Sequence, residues 1–310
     1  MRFLAFCDYG SNVGLGHLRR CEKLLALLNN VGHIHYDIIK NATVQDITAL
    51  KGEHFSGIIV DSYVFTRTHY AMLSALNAPL LCFDDENRCV YPVGGFVLNG
   101  APNAQELYPH IKASQNPSQN PHIIESSGLY YLLGLHYALT STDFMPKPTH
   151  KEQIHDIFIN FGGADSLNLS AQVLDCIPQN YRIHLVLGEL YTHTIKPKSN
   201  VTLYRNLSPK ELGALLINCD IAISAGGGML LELAQSQMPS IMFASAPNQH
   251  FQIAQFANLG VFIEAKSLTQ IPTLINSLNP KSVRQDKADM LARLSLGVHL
   301  IPALRHIFKL

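Results

Sequence analysis

Short apolar runs rich in β-branched and aromatic residues alternate with segments of helical period through both halves of this 310-residue chain. Such alternation is typical of βαβ units and a parallel sheet, so it predicts an α/β fold. The candidate strands of the first half are residues 2–7, 33–39, 57–60, 79–83 and 95–98. Those of the second half are residues 154–160, 181–187, 201–204, 220–224, 240–243 and 261–264.

Two further stretches have the apolar spacing of helices. Residues 17–30 carry one apolar stripe, and Gly32 is a suitable stop signal. The stripe consists of Leu18, Cys21, Leu25 and Leu28. Residues 282–310 also read as helix, interrupted before Pro302, and such a terminal helix can pack back on the first domain.

The length of the chain exceeds the size at which a single core usually stops growing, which favours two domains. Residues 140–153 break the alternation with two prolines and several polar residues, as an interdomain connection does. We therefore predict one domain at residues 1–145 and a second at residues 146–310.

Charge and composition exclude several classes of protein. Lys+Arg and Asp+Glu each total 23, so no net field draws the chain to nucleic acid or to an anionic membrane. The apolar run at the N-terminus is too short for a signal peptide or a membrane span. The six cysteines and fifteen histidines form no metal-ligand spacing. We expect a cytoplasmic monomer with no metal and no cofactor.

One acidic run offers an alternative to the absence of metal. Asp84, Asp85 and Glu86 could together hold a hydrated Mg²⁺. Adjacent acids in a loop usually point in different directions, however, so a structural or capping role is the favoured interpretation.

Three glycine-rich turns each join a predicted strand to a predicted helix, a geometry that presents free backbone N–H groups to an anion. They occupy residues 11–17, 160–166 and 224–234. None is followed by the Gly-Lys-Ser/Thr of a P-loop, and none is a complete GxGxxG, which argues against NTP hydrolysis and dinucleotide binding.

The third turn contains Gly226, Gly227 and Gly228, and it is suited to a diphosphate because no side chain blocks a close approach. Glu232 follows one helical turn later, where its carboxylate can accept both hydrogens of a ribose diol. The alternative is a flexible turn with a solvent-facing glutamate.

The first turn delivers Gly16 and His17 to the start of a helix, where the dipole favours the neutral imidazole that can remove a proton. The alternative is a histidine that only caps or packs. In the second turn, Gly163 faces either a ligand or only the other domain. Asn248 either caps its helix or binds phosphate or sugar at the strand edge.

Seven segments in order resemble one family, the UDP-2,4-diacetamido-2,4,6-trideoxy-β-L-altropyranose hydrolases of pseudaminic acid biosynthesis. They read SNVGLGHLRR, IIVDSY, CFDDE, GLHYAL, INFGGAD, AISAGGGMLLELA and APNQHFQ. The resemblance covers about residues 2–260, and its most specific parts are the Gly-x-Gly-His-x-x-Arg element and the C-terminal glycine turn. This chain departs from the family pattern after GLHYAL: an arginine commonly follows there, whereas this chain has Thr140 and Ser141.

The resemblance implies a MurG-like GT-B fold, in which two Rossmann-like domains face across a cleft and the second binds most of the nucleotide. It implies hydrolysis at the anomeric carbon with inversion, releasing UDP and a free sugar for pseudaminic acid and flagellin glycosylation. His17 matches the catalytic base, Tyr63 and Asn248 match active-site residues, and Glu232 matches the ribose-binding position. Tyr63 is expected to position the sugar or the water, although an aromatic residue at the end of a strand is often only part of a cleft wall.

Two alternatives remain. A glycosyltransferase of the same architecture would pass the sugar to an acceptor, although no amphipathic basic segment marks a lipid acceptor site. A nucleotide-sugar sensor would retain the third glycine turn but would have no need of His17.

Overall fold

The computed structural model describes residues 1–10, 15–109, 111, 123–147, 149–196, 198–246 and 249–310. The chain divides into two compact units, Met1–Leu139 with Leu296–Leu310 and Thr140–Ser295, called unit 1 and unit 2. The chain leaves unit 1 after Leu139, whereas the expected first domain ends at residue 145. Residues 296–310 return to unit 1, in agreement with the expectation that the terminal helix can pack back on the first domain.

Unit 1 is built on a seven-stranded sheet of order β2-β1-β3-β4-β5-β7-β6. Its strands are β1 (Arg2–Cys7), β2 (His35–Lys40), β3 (Gly57–Asp61), β4 (Leu80–Phe83), β5 (Phe96–Asn99), β6 (Ile124–Ser126) and β7 (Leu129–Leu133). All neighbouring strands pair in parallel except β6, which is antiparallel to β7. The central strands β3 and β4 are buried throughout, which explains their continuous apolar runs.

In the described part of unit 1, four helices cover this sheet: α1 (Gly16–Gly32), α2 (Val44–Ala49), α3 (Arg67–Ser74) and α10 (Leu300–Phe308). The predicted stripe of α1 is buried against the sheet. Phe308 of α10 packs edge-on against Phe3 of β1, with ring centroids 4.9 Å apart. A Cβ on Gly57 would lie 2.5 Å from both rings, so this contact requires glycine at the start of β3.

Unit 2 has a six-stranded parallel sheet of order β10-β9-β8-β11-β12-β13, the strand order of a classic Rossmann fold. The strands are β8 (Asp156–Asn160), β9 (Arg182–Leu187), β10 (Val201–Arg205), β11 (Ile221–Ala225), β12 (Ser240–Phe243) and β13 (Ile263–Glu264). Its helices are α4 (Leu169–Cys176), α5 (Pro209–Asn218), α6 (Met229–Gln235), α7 (Gln249–Asn258), α8 (Ile271–Leu278) and α9 (Lys281–Arg293).

The C-terminal helical stretch is interrupted before Pro302, as the sequence predicts. The break separates α9 from α10 between residues 293 and 300, and Pro302 itself is the third residue of α10. Proline is tolerated there because N–H groups in the first turn of a helix have no intrahelical acceptor. Pro302 therefore does not interrupt the helix.

Candidate active site

Several buried polar residues of unit 1 lie close together where its strand order reverses. The chain passes from β1 through α1 to β2 on one side of β1, whereas β3 pairs on the other side. In open α/β sheets, the crevice at the carboxyl ends of two such strands is the usual ligand site. Here β1 leads toward His17, and β3 ends at Asp61.

His17 is the second residue of α1, and its side chain is 9% exposed. Its Nδ1 lies 2.6 Å from Oδ1 of Asp61. An ionised carboxylate only accepts hydrogen bonds, so Nδ1 carries the proton and donates it to Asp61. The tautomer fixed in this way leaves the lone pair on Nε2, as in catalytic histidines that are oriented by an aspartate.

Arg20 holds Asp61 in its ionised form. Its Nε donates to Oδ2 of Asp61 at 2.6 Å and its Nη2 to Oδ1 at 2.7 Å. Burial alone would raise the pKa of Asp61, but the charge of Arg20 and the hydrogen bonds from Arg20 and His17 outweigh it and lower that pKa. Asp61 is therefore a charged acceptor shared by an arginine and a histidine.

The same guanidinium also binds Asp85, which follows β4. Nη1 of Arg20 donates to both carboxylate oxygens of Asp85 at 2.8 Å, and the guanidinium lies 4.6 Å from the ring centroid of Phe83. Although burial opposes its charge, the two carboxylates raise the pKa of Arg20 well above its ordinary value. Arg20 thus links the ends of β3 and β4 as a permanent cation.

Tyr63 closes this group of side chains. Its ring meets the His17 imidazole edge-on at a centroid distance of 4.4 Å, and its hydroxyl donates to Asp85 at 3.3 Å. The backbone N–H of Tyr63 donates to the buried Asp8, which also accepts from Ser62 at 2.7 Å. Burial and the charge of Asp85 raise the pKa of Tyr63 to about 12, so its hydroxyl remains a donor at neutral pH.

The acidic run at residues 84–86 has structural partners. Asp84 accepts from the backbone N–H groups of Glu86 and Arg88, at 3.1 Å and 3.3 Å. Asp85 is paired with Arg20, and Glu86 lies 3.4 Å from Arg88. Within the described part of the chain, no group of three His, Cys, Asp or Glu residues is arranged to hold a metal ion.

In unit 2, two of the glycine-rich turns lie where the strand order of the sheet reverses, between β8 and β11. The Gly163 turn follows β8 and the Gly226 turn follows β11, and these strands pair directly, with Asn160 opposite Ser224. Ser224 also donates to the carbonyl oxygen of Asn160 at 2.7 Å. The two turns therefore share one edge of the sheet, where ligands of such folds bind.

The helices that follow these turns have different N-termini. The carboxylate of Asp165 accepts from Leu169 and Ser170 at 2.8 Å and 2.9 Å, so it occupies the N–H groups of α4. The N-cap of α6 is Gly228, which has no side chain with which to accept from the first N–H groups of that helix. Glu232 lies in the first turn of α6.

The three consecutive glycines differ in what they require. A Cβ on Gly226 would lie 2.5 Å from Ile253 of α7, so close packing excludes a side chain there. Beside Gly228 nothing lies within 4 Å of such an atom among the described residues. The same holds at Gly16 and Gly163. Glycine at these three positions is thus not required by local packing.

Asn248 and residues 11–14 of the first turn lie outside the described residues. Ser141, where the family commonly has an arginine nearby, binds Gln235 of α6 instead. The backbone N–H of Ser141 donates to that amide at 2.8 Å, and the amide donates back to its carbonyl oxygen.

The sequence alone did not single out Asp61, Arg20 or Asp8 as site residues, and for Asp85 it offered a metal ligand or, as the favoured interpretation, a structural or capping role. One signal was available, because Arg20 is the arginine of the Gly-x-Gly-His-x-x-Arg element. A second was that Asp61 and Asp85 both stand at the carboxyl ends of predicted strands.

A comparison with solved structures gives the class of fold. MurG of Acinetobacter baumannii superposes with a TM-score of 0.62 at 11% sequence identity, covering 100% of both chains. At this identity the likeness concerns the fold alone. Together with the parallel sheet of unit 2 and the mainly parallel sheet of unit 1, it confirms the predicted α/β class with two Rossmann-like domains of the GT-B kind.

Two curated relatives give the nearer resemblance. A Helicobacter pylori protein named "Pseudaminic acid cytidylyltransferase and UDP-2,4-diacetamido-2,4,6-trideoxy-beta-L-altropyranose hydrolase" is 28% identical over 98% of this chain. This chain spans only 55% of that relative. The Campylobacter jejuni UDP-2,4-diacetamido-2,4,6-trideoxy-beta-L-altropyranose hydrolase is 23% identical over 67% of this chain and 77% of its own length. The predicted resemblance is thereby confirmed.

No protein-family model matches the sequence. Among the helices of the described residues, none is both long and apolar enough to cross a membrane.

Proposed function

We propose that this chain is an enzyme that hydrolyses UDP-2,4-diacetamido-2,4,6-trideoxy-β-L-altropyranose at the anomeric carbon. The proposal combines the names of the two relatives with one observation, the hydrogen bond from Nδ1 of His17 to Asp61 at 2.6 Å. That bond leaves Nε2 of a buried histidine free to accept a proton, at the point of the sheet where ligands bind.

The reaction needs one base and no acid. Nε2 of His17 takes a proton from water, and the water oxygen forms a bond to the anomeric carbon. The bond from that carbon to the diphosphate oxygen breaks, and its electron pair leaves with UDP, which is already a good leaving group. The Asp61 carboxylate stabilises the imidazolium that forms. A single displacement by water inverts the configuration of the anomeric carbon.

We assign recognition of UDP to unit 2. Gly226, Gly227 and Gly228 are proposed to approach the diphosphate, and Glu232 the ribose. Support comes from the position of this turn at the strand reversal of a Rossmann-type sheet and from the free space beside Gly228. Gly16, Gly163 and Asn248 are proposed as further contacts of the substrate, and Tyr63 as the residue that positions sugar or water.

The remaining parts of the proposal follow from the resemblance and the composition. We propose that the released sugar serves pseudaminic acid biosynthesis and flagellin glycosylation, and that the enzyme is a cytoplasmic monomer. The alternative is a GT-B glycosyltransferase with a UDP-amino sugar donor, which has the same fold.

The decisive experiment is turnover of a panel of UDP-sugars in ¹⁸O-labelled water without an acceptor. We expect UDP release from the diacetamido sugar, with label in the free sugar. His17→Asn should remove most turnover and leave UDP binding nearly unchanged, whereas His35→Asn, at an exposed residue of β2, should behave as wild type. Label in UDP, or UDP release only with an acceptor, would contradict the proposal.

A further inference from the structure

Unit 1 contains a cavity of about 350 Å³ that borders Tyr63. Its buried side is aromatic, because Phe65, Tyr70 and Tyr91 are each less than 10% exposed. Its exposed lining includes Thr66, Arg67 and Val90 as well as Arg88, which lies beside Tyr63. The cavity thus offers apolar surface at depth and hydrogen-bond donors at the entrance.

The guanidinium of Arg88 has hydrogen-bond donors that no described residue uses. Its guanidinium carbon lies 3.6 Å from the ring centroid of Tyr63, so the aromatic face holds it in place. The nearest carboxylate is that of Glu86, itself 53% exposed, at 3.4 Å. In the described residues, the guanidinium N–H groups of Arg88 make no hydrogen bond, whereas Arg20 uses Nε, Nη1 and Nη2 on two carboxylates.

Tyr63 connects this cavity to the proposed base. The same ring lies against Arg88 and against the imidazole of His17, at 3.6 Å and 4.4 Å respectively. Its hydroxyl and backbone N–H are held by Asp85 and Asp8, so the ring has a fixed position. A group bound in the cavity would therefore lie one aromatic ring away from His17.

We propose that this cavity binds an N-acyl group of the sugar and that Arg88 determines the specificity for it. The methyl group packs on the aromatic side, where burial of apolar surface is favourable, and the amide oxygen accepts from the guanidinium. This inference rests on the proposed function and adds the sugar-recognising residue.

The test compares the diacetamido substrate with its two monoacetamido analogues, each lacking one acetyl group, in wild type and Arg88→Ala. Wild type should prefer the diacetamido sugar over one of the analogues, and Arg88→Ala should lose about tenfold of that preference, mainly in KM. Arg88→Lys should not restore it, because an ammonium lacks the planar stack and fork. Glu86→Gln is the matched control and should retain the wild-type preference.

Binding of the same UDP-sugars to the inactive His17→Asn protein, by calorimetry, separates the two proposals. If wild type turns over none of the sugars, the proposed hydrolysis fails. A preference in binding that disappears when Arg88→Ala is added to the His17→Asn protein would still support the cavity assignment. An unchanged preference in folded Arg88→Ala, in binding as in turnover, would overturn it. Circular dichroism and the thermal midpoint establish that the variant is folded.

Discussion

Nδ1 of His17 lies 2.6 Å from Oδ1 of Asp61, and the two residues are 44 positions apart in the sequence. The contact exists because β1 and β3 are neighbours, with Cys7 paired to Asp61 at their carboxyl ends. The carboxylate is 1% exposed and is held ionised by Arg20. The pair therefore selects Nε2 of His17 as the atom that is free for proton transfer.

Asp61→Asn should lower kcat by about 10²- to 10⁴-fold while KM and UDP affinity change little. An amide can donate to Nδ1 of His17, which would then place the proton on Nε2 and remove the base. Steady-state release of UDP measures the rate, and calorimetry measures binding. Asp37→Asn, at a residue whose side chain is 68% exposed on β2, is the matched control. A folded Asp61→Asn protein with wild-type kcat would contradict this orientation of the base.

Arg20→Ala should destabilise the protein by about 3 kcal/mol, because it leaves the buried Asp61 and the partly buried Asp85 without their shared cation. Arg19→Ala is the control within the same element, since Arg19 is 67% exposed and pairs only with Glu22 among the described residues. We expect it to change the free energy of unfolding by less than about 0.5 kcal/mol.

Urea unfolding followed by circular dichroism measures both arginine variants. Arg20→Lys should recover little, because an ammonium cannot bind two carboxylates with a planar fork. Equal stabilities of the Arg19 and Arg20 variants would show that the two aspartates do not depend on this cation.

The strands were largely predictable, and the contacts between them were not. Residues 2–7 and 240–243 form strands with the predicted bounds because buried parallel strands read as short, unbroken apolar runs. The pair β6 and β7 was missed, since the apolar run at 129–133 fits a helix or a strand equally well.

The residues of the candidate site were also predictable only where the signal is local in the sequence. His17 and Tyr63 could be named from a glycine turn and a family motif, because those signals are local. Asp61 and Arg20 depend on which strands are neighbours, and strand order is not encoded in local periodicity. A carboxylate at the end of a predicted strand was a usable signal for Asp61, once β1 and β3 are known to adjoin.

The stability of unit 2 should fall in acid as Asp156 loses its charge. Burial alone would raise the pKa of Asp156, but hydrogen bonds from Arg182, Lys151 and His184 outweigh it and lower that pKa. Its folded pKa is below the unfolded value of about 3.9, so this contribution is complete above about pH 5 and is lost as pH falls from there through the folded pKa.

Asp156→Asn therefore should cost stability at pH 7, and the difference from wild type should shrink as pH falls from about 5 to 2. Urea unfolding at a series of pH values measures both proteins, with Asp286→Asn, at an exposed position on α9, as the control. A difference that stays constant with pH would mean that Asp156 acts through packing and not through its charge.

Gly228→Asp should weaken UDP binding at least tenfold without destabilising unit 2. The position has room for a side chain, as no described atom lies within 4 Å of an added Cβ. A carboxylate at the start of α6 interacts favourably with the helix dipole but repels a diphosphate. Gly228→Ala is the control, because it adds a methyl group without charge and should bind UDP within about threefold of wild type. Gly226→Ala should instead destabilise the fold, since its Cβ would lie 2.5 Å from Ile253. Unit 2 stability is measured by urea unfolding and UDP affinity by calorimetric titration for all three glycine variants.

Unchanged UDP affinity in Gly228→Asp would remove this turn from the proposed nucleotide site.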